Sequence, residues 1–165
     1  MIDSSEVFDS IRRGYNELDD ASNEDIIEYF QNVDTDSISG HVSNIKGILF
    51  EQEYVEQLAS EGIHAEIFEA TNHPVVDISI IEDGIVVNEL QLKATESVSY
   101  INSTLAEHPA VEIVATTEVA SQMNSDMVID SGISESALEN TILESLDVVN
   151  PVSPLSIFGW FFGIF

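Results

Sequence analysis

One acidic residue of this sequence lies where a carboxylate is costly, and metal binding is the chemistry that would explain it. Apolar residues recur at helical spacing through residues 43–60, and Glu51 falls within their face, three residues after Ile48 and four before Val55. A carboxylate there costs several kcal/mol unless it is paired, protonated or bound to a metal. The simpler alternative is that Glu51 lies at the edge of the face and reaches solvent.

A second set of polar residues lies in two neighbouring predicted strands, Val75–Ile81 and Ile85–Lys93. Successive side chains of a strand point to opposite faces, so Asp77 shares a face with one polar row of the second strand. This polar row consists of Glu89, Gln91 and Lys93. Asp83-Gly84 favours a hairpin turn that would bring Asp77 and the polar row together. The alternative is a solvent-facing ladder, because antiparallel sheets commonly have one polar face.

Lys93 is unusual because the chain contains only two lysines, Lys46 and Lys93. There are 31 acidic residues against four lysines and arginines, and the formal net charge is −27. A charge of this size argues against broad electrostatic binding to nucleic acid or to anionic lipid. The chain nevertheless places one of its few cations in the polar row, among carboxylates.

The residues described above resemble a known family. Asp77 followed by Gln91-Leu92-Lys93 resembles the Asp…(Asp/Glu/Gln)-x-Lys motif of the PD-(D/E)XK nuclease superfamily. The segment Gly47–Glu51, with the sequence GILFE, resembles the Gly-x-x-Phe-Glu helix of its Mrr-like restriction endonuclease branch. The predicted order of helix, three strands, helix and strand is similar to the superfamily core. The resemblance covers roughly residues 43–116.

The resemblance implies a metal-dependent phosphodiesterase that cleaves DNA as an endonuclease. It implies Mg²⁺, or Mn²⁺, bound by oxygen atoms of Asp77, Glu51 and Gln91 together with the Leu92 carbonyl. Lys93 would orient the attacking water or stabilise the transition state. The implied catalytic residues are therefore Asp77, Gln91, Lys93 and Glu51.

Two departures from the motif leave other functions open. Val76 precedes Asp77 where the motif has proline, and Gln91 replaces the usual acid, for which Glu89 could substitute. The second interpretation is a catalytically inactive member of the same fold that acts as an interaction or membrane-adjacent scaffold through its C-terminal tail. A third is an acidic mimic of nucleic acid that inhibits a basic partner. The absence of cysteine excludes disulfides, thiolate zinc sites and cysteine nucleophiles.

The sequence predicts an α/β fold with a restriction-endonuclease-like core. Residues 1–40 predict an acidic helical appendage, with one or two helices at 5–31 and a linker at Asn32–Gly40. Residues 41–149 form the predicted domain. Its predicted elements are a helix at 43–60, strands at Ile63–Ala70, Val75–Ile81 and Ile85–Lys93, a helix at 96–107, a strand at Val111–Thr116, and shorter elements through a helix at Ser134–Leu146.

Residues 150–165 predict a separate aromatic tail after the helix-breaking segment Asn150–Pro154. A helix over Leu155–Phe165 would be about 16 Å long, which is too short to cross a bilayer. We expect the tail to pack on its own domain, or to form a homo-oligomer, protein or membrane-interface contact. That contact would use Leu155, Ile157, Phe158, Trp160, Phe161 and Phe162. The acidic start of the chain lacks the basic region of a secretory signal, so we expect a cytoplasmic or membrane-peripheral protein.

Overall fold

The structure is a computed structural model that describes residues 2–68 and 75–149. The predicted tail at 150–165 lies outside the described residues, and so does the end of the strand predicted at Ile63–Ala70. In the described part, the elements follow in the order α1 Ser4–Gly14, a 3-10 helix Asn16–Leu18, α2 Asn23–Gln31, α3 Thr35–Ser60, β1 His64–Ile67, β2 Ile78–Glu82, β3 Ile85–Lys93, α4 Val98–Glu107, β4 Glu112–Ala115, α5 Thr117–Ala120, β5 Val128–Asp130 and α6 Glu135–Leu146. None of these helices is both long and apolar enough to cross a lipid bilayer.

The strands form one mixed, open sheet in the order β1-β2-β3-β4-β5. β1, β2 and β3 are antiparallel neighbours, whereas β4 is parallel to β3 and β5 is parallel to β4. α4 connects β3 to β4, since a parallel pair of strands needs a crossover connection. The fold is therefore α/β, which confirms the predicted class.

The hairpin between β2 and β3 is the turn that the sequence predicted. Glu82 pairs with Ile85, and the two residues between them, Asp83 and Gly84, both have positive φ angles, of 52° and 77°. A two-residue hairpin turn of type I′ requires this conformation at both positions, and Asp-Gly is one of the pairs that adopts it readily. The turn fixes the pairing of Ile81 and Glu82 with β3, and a register shift between Ile80 and Ile81 sets the pairing beyond them.

The described residues divide into two compact units. The first unit consists of residues 2–49 and 136–149, and its fully buried apolar residues include Val7, Ile11, Ile26, Phe30, Ile45, Leu49, Leu138 and Ile142. The second unit, Phe50–Glu135, contains the sheet. A core cluster of this unit joins β4 to α4 and α5 through Ile101, Ile113, Ala115 and Val119.

α3 begins at Thr35, eight residues before the predicted start of this helix at residue 43. The prediction of a linker over Asn32–Gly40 is therefore wrong from Thr35 onwards, and the predicted domain boundary at residue 40 falls inside α3. That prediction gave more weight to the polar residues and glycine of Asn32–Gly40 than to the helical spacing of the apolar residues in this part of the chain. The spacing continues from the predicted linker into the predicted helix through four buried residues, Ile38, Val42, Ile45 and Leu49.

The N-terminal helices begin at side-chain caps. Asp3 and Glu6 form a capping box at α1, in which the Asp3 carboxylate accepts from the Glu6 amide and the Glu6 carboxylate accepts from the Asp3 amide. Ser22 accepts a hydrogen bond of 3.1 Å from the Asp25 amide and caps α2. The helical prediction for residues 5–31 is thus confirmed.

Candidate functional site

Cross-strand pairing puts Ser79 of β2 on the same face of the sheet as the polar row. Ile78 pairs with Leu90 and Ser79 pairs with Glu89. Paired residues share a face, successive residues alternate between faces, and Asp77 directly precedes Ile78. Ser79 therefore lies on the same face as the polar row, which is Glu89, Gln91 and Lys93, and Asp77 lies one residue before the start of β2.

α4 covers this face of the sheet. On β4, Ile113 pairs with Gln91 and Ala115 pairs with Lys93, so these two side chains share the face of the polar row. Both belong to the core cluster with Ile101 of α4. The end of β3 is therefore enclosed between neighbouring strands and a helix, and the Gln91 side chain is only 5% exposed.

The Asp77 carboxylate is fixed against β3. The Asp77 amide donates a hydrogen bond of 2.9 Å to the Leu90 carbonyl, and the Leu92 amide donates one of 2.8 Å to Asp77 Oδ2. These two bonds bracket Gln91, which places the carboxylate beside that residue. The side chain of Asp77 thus accepts a hydrogen bond at the end of the β2–β3 ladder, where the backbone pairing stops.

Burial determines the charge state of this carboxyl group. Removal from water raises the pKa of Asp77 above its ordinary value of 3.8, because desolvation disfavours the charged form. The hydrogen bond from the Leu92 amide and the positive charge of Lys93 act in the opposite direction. Lys93 is therefore close enough to act electrostatically on Asp77, and any further cation at this carboxylate would favour its charged form.

Two buried oxygen atoms on this face lack hydrogen-bond partners among the described residues. They are Ser79 Oγ, in a side chain that is 2% exposed, and Gln91 Oε1. Ser79 is two residues after Asp77. Gln91 lies on β3 between Leu90 and Leu92, the two residues that are hydrogen-bonded to Asp77. Leaving such a group unsatisfied costs about 1–3 kcal/mol, so each buried orphan in a folded protein needs an explanation, such as an ion or a water.

Lys93 is held by a side chain that sequence reasoning did not identify. Its Nζ atom donates a hydrogen bond of 3.1 Å to the hydroxyl of Tyr100 and lies 5.2 Å from the centre of that ring. Tyr100 is on α4, which follows β3 and folds back over the face that carries Lys93. This contact is exposed to solvent, since Tyr100 is 48% exposed.

Glu51 is partly buried on α3, within the second unit. The nearby Tyr54 of α3 has its pKa raised by burial and by the negative charges of Glu61 and Glu112. Glu112 pairs with Leu90 and therefore belongs to the sheet face opposite Asp77. The convergence of Glu51 with Asp77 stays a prediction.

Glu89, the possible substitute for the missing acid, is exposed and lies directly opposite Ser79. Two residues of the site were missed from the sequence. Ser79 could have been found by the alternation that selected Asp77, because it is the next residue on the same face. Tyr100 had no local signal, since its contact with Lys93 depends on how α4 packs.

No protein-family model, curated protein or solved structure matches this chain. The argument for function therefore depends on the site itself. The residues that lie together are oxygen donors: a carboxylate, an amide oxygen and a hydroxyl. A hard divalent cation such as Mg²⁺ prefers these ligands, and the two orphan oxygens are atoms that such an ion could satisfy. That these residues hold the implied metal stays a prediction.

Proposed function

We propose that this chain is a metal-dependent phosphodiesterase of the PD-(D/E)XK type that cleaves DNA in the cytoplasm. The observation that carries the proposal is the Asp77 carboxylate, held against β3 by the Leu92 amide, together with two buried oxygens, Ser79 Oγ and Gln91 Oε1, that have no partner among the described residues. Support comes also from the order α3, β1, β2, β3, α4 and β4, which is the order on which the family resemblance depends. On this proposal, residues 43–116 form a restriction-endonuclease-like core.

Asp77, Gln91 and the predicted ligand Glu51 would hold Mg²⁺ or Mn²⁺. The ion, when bound, would lower the pKa of a bound water and neutralise charge on the scissile phosphate. Two carboxylates with the neutral Gln91 oxygen carry less negative charge than a site with a third acid in place of Gln91. We therefore expect weak metal affinity, for which exposed Glu89 could compensate.

Lys93 supplies the positive charge that a phosphoryl-transfer transition state needs. The hydroxyl of Tyr100 accepts one of its hydrogen bonds and restricts the movement of the ammonium group. An oriented cation stabilises developing negative charge better than a mobile one, because it needs no reorganisation during the reaction. The core cluster under α4 keeps water away from the adjoining part of this face. Tyr100 is a positioning residue on this account.

The test is a DNA-cleavage assay with Mg²⁺ or Mn²⁺ on the wild-type chain and three variants. Lys93→Ala and Asp77→Asn should each reduce cleavage by about two to four orders of magnitude, as loss of a charge-stabilising group does elsewhere. Asp77→Asn is preferred to alanine because asparagine can still accept the hydrogen bond of the Leu92 amide. Glu82→Gln, an exposed change at the end of β2, is the matched control and should cleave like the wild type.

Metal binding should be measured beside cleavage, by calorimetry on the same proteins. Cleavage that is unchanged in both Lys93→Ala and Asp77→Asn would refute the assigned site. A folded wild-type chain that neither binds the metal nor cleaves DNA would refute the proposed activity and favour the second interpretation, an inactive member of the fold.

A further inference from the structure

Part of β3 has a strand on one side only. β4 pairs with β3 over Leu90–Lys93, whereas β2 pairs with it from Ile85 to Leu90. The first five residues of β3, Ile85–Glu89, therefore have β2 on one side and no strand of the described part on the other. We term this segment the free edge. Its outward amide and carbonyl groups are of the kind that can pair with another strand.

The free edge is exposed and apolar. Ile85, Val86 and Val87 are 66%, 50% and 51% exposed, and these three β-branched residues are consecutive. Proteins commonly protect such an edge with lysine or proline, and the sequence of Ile85–Glu89 contains neither. A register shift between Ile80 and Ile81 twists the hairpin but leaves the three side chains in solvent.

The charges around the free edge determine which strand would fit. Glu82 and Asp83 precede it, and Glu89 ends it. Glu112 borders it on the β4 side, where its carboxylate accepts a hydrogen bond of 2.9 Å from the Asn88 side chain. The sequence has no lysine or arginine between residues 47 and 92. A second copy of this chain would place like charges against like, whereas a cationic strand would be complementary.

We propose that the free edge is a docking site for an extended, cationic and apolar segment of another protein, which adds to β3 as a further strand. Backbone hydrogen bonds to Ile85–Glu89 supply the affinity. Apolar side chains of the added strand pack over Ile85, Val86 and Val87. Its lysines or arginines face Glu82, Asp83 and Glu89 and select for a basic partner. The surface does not depend on catalysis at Asp77.

The experiment uses the full chain and a fluorescent peptide in which lysine and valine alternate. Binding is measured by anisotropy, and hydrogen exchange of the amides of residues 85–89 is measured with and without peptide. Val87→Lys and Val87→Glu both replace the same exposed apolar side chain, but with opposite charges. We expect the peptide to protect the free edge, with binding about tenfold weaker for Val87→Lys than for Val87→Glu.

A second peptide of equal charge, with proline at its centre, separates strand addition from simple attraction to an acidic surface, because proline cannot complete the ladder. The proposal requires that this peptide bind more weakly and leave residues 85–89 unprotected. Equal binding of both peptides, or equal binding by the two Val87 variants, would overturn it. Protection of the free edge without peptide, in a chain that sediments as a dimer, would also overturn it in favour of a second copy.

Discussion

At the scale of a single residue, Asp77 has one structural role and one proposed role in metal binding. Its carboxylate accepts the Leu92 amide at the end of the β2–β3 ladder, which is a structural role that any acceptor could fill. Its burial beside two orphan oxygens makes the charged form unfavourable unless a cation is present. Burial thus shifts the balance toward the protonated form, and a bound cation would shift it toward the charged form.

Asp77→Asn should change how the stability of the metal-free protein depends on pH. Between the ordinary pKa of 3.8 and the raised pKa of the folded state, only the folded chain keeps the proton, so the free energy of unfolding falls as pH rises. The fall is about 1.4 kcal/mol per pH unit within that interval. Asparagine removes this contribution. Urea unfolding in EDTA over a pH series, with Glu82→Gln as control, should show wild type losing stability relative to Asp77→Asn as pH increases.

If the difference in the free energy of unfolding between wild type and Asp77→Asn stays constant across the pH series, this result would contradict a raised pKa of the buried Asp77 carboxyl. Below pH 3.8 both states of the wild type are protonated, so the two proteins should then differ by a fixed amount.

Gln91→Met should distinguish the stability cost of the unsatisfied Gln91 Oε1 from the proposed role of that oxygen as a metal ligand. Methionine keeps the length of the side chain but removes the unsatisfied Oε1, so the metal-free variant should be as stable as wild type or more stable by about 1 kcal/mol. Mg²⁺ should raise the thermal unfolding temperature of wild type and have a smaller effect on Gln91→Met. Thermal unfolding with EDTA and with Mg²⁺ checks this. Gln31→Met, an exposed change on α2, should keep the full metal response.

Equal stabilisation of wild type and Gln91→Met by Mg²⁺ would mean that Gln91 is not a ligand. A large loss of stability in EDTA would mean instead that the amide makes a contact essential to the fold.

At the scale of elements, much of the second unit could be predicted from the sequence. Alternation and the Asp-Gly turn predict β2, β3 and their pairing next to the turn, but the register shift between Ile80 and Ile81, which brings Ser79 opposite Glu89, could not be predicted from them. The start of α3 was missed because Ser, Asp and Gly at residues 35–40 suggested a loop, whereas burial of Ile38 and Val42 stabilises a helix there. The contact of Tyr100 with Lys93 could not be predicted, because it depends on how α4 packs and not on the local sequence pattern of α4 or β3.

The same chemical change at two glycines should have opposite effects on stability. Gly84→Ala places a Cβ at a φ of 77°, and the strain should cost about 1–2 kcal/mol although no atom lies within 4 Å of the added carbon. Gly40→Ala lies in α3, also in open space, and should stabilise the chain by about 0.5–1 kcal/mol because alanine loses less backbone entropy. Chemical denaturation of both variants measures the two shifts. Shifts of the same sign would contradict the turn geometry or the helical start of α3.

At the scale of the whole molecule, the charge of −27 should make stability depend on salt. Between 0.01 M and 1 M salt the screening length falls from about 30 Å to about 3 Å, so repulsion between acids is largely removed. We expect the urea midpoint at pH 7 to rise with KCl. At pH 4.1, the isoelectric point, the net charge vanishes and the rise should disappear. Equal salt dependence at both pH values would show that screening of net charge is not the cause.

The same repulsion bears on the proposed substrate, because DNA is also an anion. Most DNA-binding proteins lose affinity as salt increases, since they release counterions from phosphates. For this chain the dominant long-range term between protein and DNA is repulsive. Salt that screens it should therefore assist the encounter that precedes cleavage.

The division into two units has a consequence for synthesis on the ribosome. The first unit is discontinuous, because residues 2–49 and 136–149 belong together while Phe50–Glu135 is inserted between them. A nascent chain that has emerged only to Glu135 contains the whole sheet but lacks the last helix of the first unit. α1 and α2 are made first, yet their unit stays incomplete until α6 emerges. The inserted unit can therefore fold before the helices that were translated ahead of it.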